Sequence, residues 1–291
     1  MNRFMNCFMN RLTNRFVDCP RAKTRHCGNI VTMPTNIKEL LDALNAAPFQ
    51  EENTPLSKSW LLGFDTETTG ANIGKDAIAS ATLVLRNPSL GHDGDTVSTW
   101  LINPHQPMNP KASEVNGFTD EYLQEHGGEP VEELELLAQA VSLAQEKNIP
   151  LLAYNAPFDV AMLRNDLNRW QLKSLNQRPT CSISTLSAND VLTVDPLVID
   201  RAVSIRPGKR TLTLTSQFYG VEPIGDFHDA TADTVAALDL VAPICNAYEQ
   251  VANMTLSNLM SWQREAYIRW RDSFNKWLES HGREPIRGTW L

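Results

Sequence analysis

The chain has 291 residues, 42% of them hydrophobic and 21% charged, which is long enough for a sizeable core and longer than the commonest single domain. No apolar run approaches the eighteen or so residues needed to cross a bilayer, which excludes a membrane-spanning helix and fits a soluble protein. The formal net charge is −8, and residues 1–32 hold six Lys or Arg against one acid, so the remainder is more acidic than the whole. Broad electrostatic capture of nucleic acid is therefore not expected, although an acidic protein can act on a nucleic-acid end if cations offset its carboxylates. The five cysteines, Cys7, Cys19, Cys27, Cys181 and Cys245, lack CxxC spacing and support neither a zinc site nor a disulfide framework. A reducing cytoplasm is the expected compartment.

Residues 1–32 are rich in Arg and Asn, and their composition is that of an organelle transit peptide or of a start-site artefact with translation from Met33. They are excluded from the predicted fold. Residues 33–59 carry a short amphipathic helix, Asn36 to Ala46, with Ile37, Leu40, Leu41 and Leu44 at helical spacing, and then a polar linker. Three strand-like runs follow, Trp60 to Thr66, Ala77 to Arg86 and Thr96 to Ile102, whose short connections predict an antiparallel meander. The first run ends in the polar burst Asp65-Thr66-Glu67-Thr68-Thr69-Gly70. Side chains alternate along a strand, so Asp65 and Glu67 share one face while Thr66 takes the other. Hard divalent cations take carboxylate oxygens of this kind.

Beyond the meander, helix and strand alternate. A helix is predicted over Val131 to Lys147, and a compact strand over Leu151 to Tyr154. Asn155 is the predicted cap of a helix reaching about Gln171, with Pro157 in its first turn and Asp159 favoured there by the helix dipole. Another strand is expected at Val191 to Val194, and short helices at Leu197 to Val203 and Thr211 to Tyr219. A longer helix starts near Ala230, capped by Asp229, and Pro243 should kink or end it. Tyr267, Trp270, Phe274, Trp277 and Leu278 form an apolar stripe on a last helix. The organisation expected is a main domain over 60–243 and a helical extension over 244–291.

Three separated motifs then coincide in order and context: DTETTG from Asp65, NAPFD from Asn155 to Asp159, and HDATAD from His228 to Asp233. In this combination the chain resembles the DEDDh exonuclease family across roughly Trp60 to Ala242. Within that family it is similar to the epsilon proofreading subunit of bacterial DNA polymerase III and to its stand-alone relatives, a likeness the run Arg206 to Leu212 strengthens. The resemblance implies an α/β, ribonuclease H-like fold, a five-stranded mixed sheet of order 3-2-1-4-5 flanked by helices. It also implies two divalent metal ions, Mg²⁺ or Mn²⁺, held by Asp65, Glu67, Asp159 and Asp233, with His228 as general base, and 3′-to-5′ release of nucleoside 5′-monophosphates.

Softer expectations attach to neighbouring residues. Thr68, Thr69 and Gly70 match the segment that receives the terminal nucleotide, and Asn155 and Phe158 lie beside it, where Phe158 is suited to stack on a base or to anchor the core. Arg206, Lys209 and Arg210 are the compact basic cluster of the main domain, suited to phosphate contacts or to a solvated loop. Many relatives carry a His at the position of Asn116, so substrate contact there departs from the family pattern. The partners implied are nucleic acid 3′ ends, DNA in a proofreading or repair role, with RNA ends as the alternative, and a DNA polymerase complex. A reading of another class, an inactive adaptor docking through the aromatic stripe, requires the acids to have no duty.

Overall fold

A computed structural model describes residues 37–222 and 230–291. After helix α1 (Ile37–Ala46), strands β1 (Leu61–Thr68), β2 (Ile78–Arg86) and β3 (Thr96–Leu101) form the expected antiparallel meander. Helices α2 (Pro110–Asn116), α3 (Asp120–His126) and α4 (Pro130–Glu146) follow, then β4 (Leu151–Leu152), α5 (Pro157–Arg169), β5 (Thr193–Val194), α6 (Pro196–Val203) and α7 (Leu212–Tyr219). The described chain closes with α8 (Ala230–Asp239), α9 (Val241–Ala247), α10 (Glu249–Ala252) and α11 (Leu256–Ser280). β4 and β5 join parallel to β1, which gives the sheet order β3-β2-β1-β4-β5. The mixed sheet and its order are those that the family resemblance implies.

Strand alternation decides what lies on each face. Leu62 and Phe64 of β1, with their partners Leu85 and Leu83 of β2, enter a core shared with Leu40 and Leu44 of α1, Leu137 and Val141 of α4, and Val160 and Leu163 of α5. Leu61 and Val84 point the other way, into a core with Val235 and Leu238 of α8 and Leu259 and Met260 of α11. On that second face Gly63 is where α8 crosses β1. A Cβ there would stand 2.7 Å from both Leu238 and Thr234, so the missing side chain sets how near the helix can approach.

Local differences from the sequence reading have local causes. α8 ends at Asp239 and α9 begins at Val241, so the helix breaks four residues before Pro243, at the carbonyl a proline ring would strike. Asn155 does not cap α5. It adopts a left-handed φ of 71°, which Asn tolerates, and Ala156 takes the N-cap position without a side-chain cap bond. The predicted cap Asp229 lies outside the described residues. The stripe of α11 packs on itself as a column of rings from Tyr267 through Trp270, Phe274 and Trp277 to His281, with the Arg201 guanidinium 3.9 Å over Trp270. Among the described residues no helix is long and apolar enough to cross a membrane.

Candidate functional site

The site grows from the unequal lengths of β1 and β4. β4 pairs with β1 only at Leu62 and Gly63, and Leu62 N–H donates to Pro150 O on that side. Backbone N–H groups recur on one edge with a period of two, so Thr66 presents its N–H on the same edge beyond the end of β4. There the carboxylate of Asp159 takes the place of a strand. Its Oδ1 accepts from Thr66 N at 3.1 Å and from Thr66 Oγ1 at 2.7 Å. Thr66 does point away from Asp65 and Glu67, and its two donors bring the acid of the second motif to the residue between the two acids of the first.

Asp65 and Glu67 are half-buried, whereas Asp159 is 3% exposed. Burial pushes the Asp159 carboxyl up to about 7; the bonds from Thr66 oppose the shift and nearby Asp195 adds to it. On the other face, Asp65 pairs with Thr82, and Thr82 with Thr99, so these side chains form one row across the sheet. Thr231 of α8 meets that row, with its Oγ1 3.3 Å from the hydroxyls of both Thr82 and Thr99. The first turn of α8 therefore lies over the acid-bearing end of the sheet. It carries Asp233, half-buried, one residue before the Thr234 that packs against Gly63. His228 lies outside the described residues. Among the described residues, no group of three or more His, Cys, Asp or Glu side chains stands assembled to hold a metal ion.

The Thr68-Thr69-Gly70 turn is braced from within. Thr68 Oγ1 donates to Gly70 O at 2.8 Å, and the buried Thr69 hydroxyl accepts from Ala77 N and Gln106 Nε2. Asn116 donates to Thr68 O at 3.3 Å, just before Gly117 turns the chain at a φ of 78°. Asn155 is exposed, and Phe158 is half-buried against the core shared by α4 and α5. The basic cluster divides. Arg206 and Arg210 turn inward onto the wholly buried Asp200, at 2.9 and 2.8 Å, while Lys209 is exposed. Tyr219 OH donates to the same carboxylate at 2.9 Å, so the two arginines neutralise a buried acid and pin the loop between α6 and α7.

Two residues that the motifs did not single out organise the site. Thr66 holds Asp159, and its signal is its place between two acids on the opposite face of a strand. Asp195, 1% exposed, accepts from the backbone N–H groups of Asn155, Ala156 and Leu197, so one carboxylate fixes the starts of α5 and α6. Its signal is an acid before Pro196 at a strand end, an N-cap pattern.

Comparison with known proteins is consistent with this geometry. The model of the Exonuclease family matches residues 62–241. DNA polymerase III PolC-type of Streptococcus thermophilus is 31% identical over 134 residues, which are 44% of this chain and 8% of the polymerase. Its counterpart in Streptococcus pneumoniae is 29% identical over the same length. The chain thus matches under a tenth of these relatives. Among solved structures, an exonuclease I from Methylocaldum szegediense superimposes with a TM-score of 0.53 at 18% identity, covering 74% of this chain and 45% of that one. Exonuclease I of E. coli in complex with a dT13 oligonucleotide gives 0.50 at 19% identity, covering 64% and 41%. At these identities the structural likeness is one of fold.

Proposed function

The chain belongs to the Exonuclease family, and from that premise we propose that it is a metal-dependent 3′-to-5′ exonuclease releasing nucleoside 5′-monophosphates from DNA ends. The observation that carries the proposal is Thr66 holding Asp159 beside Asp65 and Glu67, which joins two distant motifs at one strand end. Choice of DNA is supported by the relatives, a DNA polymerase III and an exonuclease I bound to oligonucleotide. The catalytic domain proposed is 60–243 with 244–291 as a helical extension, acting in the cytoplasm alone or beside a polymerase.

The donor set suits hard divalent cations, because the acids offer carboxylate oxygens and a buried acid with a raised pKa gains from a neighbouring cation. Asp65, Glu67, Asp159 and Asp233 would hold two such ions, Mg²⁺ or Mn²⁺. When bound, the ions would supply charge stabilisation to the attacking and leaving oxygens of phosphodiester displacement. Thr66 keeps Asp159 aimed. His228 takes the proton from the attacking water, since imidazole titrates near neutral pH. The Thr68 to Gly70 turn, with Asn155 and Phe158, receives the terminal nucleotide, and exposed Lys209 is the remaining phosphate contact of its cluster.

A gel time course with 3′-labelled and 5′-labelled single-stranded DNA and RNA, with Mg²⁺, Mn²⁺ or EDTA, tests the proposal. The expected result is a 3′-to-5′ DNA ladder that needs metal and falls by about 10³-fold in Asp65→Asn, whose melting curve stays that of the wild type. Full turnover by folded Asp65→Asn would sink the site assignment. Faster loss of RNA would move the substrate to RNA ends, and no degradation by folded wild type would favour an adaptor.

A further inference from the structure

Four N–H groups converge on the buried carboxylate of Asp195. Oδ1 accepts from Asn155 N at 3.1 Å and Leu197 N at 3.0 Å, and Oδ2 from Ala156 N at 3.1 Å and the indole Nε1 of Trp290 at 3.0 Å. Three of these donors are backbone groups at the starts of α5 and α6. The fourth reaches back from beyond residues 62–241, the stretch the Exonuclease model matches. Trp290 is itself 2% exposed.

What brings Trp290 there is a segment, residues 282–291, that runs back along α11. Asn275 and Ile286 exchange two hydrogen bonds, Ile286 N to Asn275 Oδ1 at 2.7 Å and Asn275 Nδ2 to Ile286 O at 3.0 Å. Arg271 donates to Gly288 O and Arg264 to Leu291 O, each at 2.8 Å. α11 also grips the backbone of the same aspartate, because Asp195 N donates to Gln263 Oε1 at 2.7 Å while Gln263 Nε2 donates to Thr193 O at 2.8 Å. The last helix and the segment after it hold Asp195 from two directions.

We propose that Trp290 is a positioning residue of the exonuclease site, holding Asp195 and through it the Asn155–Ala156 turn that aims Asp159; this rests on the function proposed above. Asn155 sits in left-handed backbone, which Asn tolerates, and the bond from its N–H to Asp195 Oδ1 selects that conformation over the extended one. Asp159 follows three residues after Ala156, so a turn that relaxes swings its carboxylate away from Thr66. Oδ2 of Asp195 has two donors, and without the indole a buried oxygen keeps one. A displacement of an ångström at a reacting group is enough to cost orders of magnitude in rate.

The test compares Trp290→Phe with Trp100→Phe in the full chain. Trp100 is equally buried, on β3, and its indole N–H finds no acceptor among the described residues. Both variants lose the same atoms, so general loosening affects both. For Trp290→Phe the expected kcat on a 5′-labelled oligonucleotide is about tenfold lower with KM within about twofold, while Trp100→Phe stays within about twofold of wild type in both. Hydrogen exchange over residues 153–160 should quicken about tenfold in Trp290→Phe alone. Asn275→Ala, which frees the segment but keeps the indole, should show the same split at about threefold, and it serves if Trp290→Phe does not fold. Equal kcat and equal exchange in the two Trp variants would overturn the proposal. An inactive wild type would defeat the proposed function instead, and exchange would still decide whether Trp290 holds the turn.

Discussion

β1 and β2 pair over eight residues and β2 and β3 over six, whereas β1 meets β4, and β4 meets β5, over two each. The long antiparallel ladders carry their own backbone bonds, and their far end is clamped by one ionic cluster. Arg86, 8% exposed, reaches Asp95 of the turn before β3 at 2.6 Å and Asp239 at the end of α8 at 2.5 Å. The parallel half relies on side chains reaching backbone instead. Gln145 donates to Ile149 O and Leu192 O and accepts from Leu192 N, and Asp195 and Gln263 do the same office at the end of β5. The candidate site lies on the seam, where β1 runs past β4 and its backbone is met by a carboxylate. One half of the sheet is thus built for strength and the other for placing groups.

The largest expected effect lies at the seam. Asp159→Asn should remove activity by about 10³-fold, read in the same gel assay, because a neutral amide offers a cation no charge. The same variant should stabilise the metal-free protein at neutral pH. Burial raises the wild-type carboxyl to about 7, so the folded chain keeps a proton that the unfolded chain has released. The stability from that proton is complete below about pH 4 and is lost as pH rises through 7. Urea titrations should therefore show the variant's advantage growing between those values and level above them. A flat difference would mean the carboxyl is not raised.

Arg86→Met attacks the other half. It leaves two carboxylates without their cation and should cost about 4 kcal/mol of unfolding free energy, yet kcat of the folded protein should stay within about twofold of wild type. A large fall in kcat would erase the contrast between the two halves. Thr66→Val is the smallest change and the sharpest. It removes one of two donors to Asp159 at nearly constant volume, so stability should fall by only about 1 kcal/mol while kcat falls by about tenfold. Loss of stability without loss of turnover would assign Thr66 to the core.

The sheet was legible because β1 and β2 are largely apolar runs, β3 is a β-branched and aromatic run, and turn residues separate them, while the order of the rest follows from the family resemblance. β4 and β5 carry the same signal and come out shorter than Leu151 to Tyr154 and Val191 to Val194; after β4 the left-handed Asn155 turns the chain out of the sheet, and β5 is trimmed at its start. A partner 93 residues away cannot be read from a strand, so nothing in DTETTG says that Thr66 will bond Asp159. Arg206 and Arg210 show the same limit from the other side. A run of basic residues looks like a patch for phosphates, and only the fold reveals Asp200 between them, an acid that in the helix Pro196–Val203 reads as an ordinary polar position. The Asp195 network is invisible for a simpler reason, because three of the four donors to its carboxylate are backbone groups and the fourth is Trp290.

The ring column on α11 has a spectroscopic consequence. Trp270, Phe274 and Trp277 stack with centroids 5.6 Å apart and planes inclined by 13° and 9°, and rings locked in one asymmetric array absorb circularly polarised light unequally. The near-ultraviolet dichroism of the protein should therefore be dominated by its last helix. Its disappearance, set against far-ultraviolet signal from the whole fold, would time the release of that helix from the sheet without any added label.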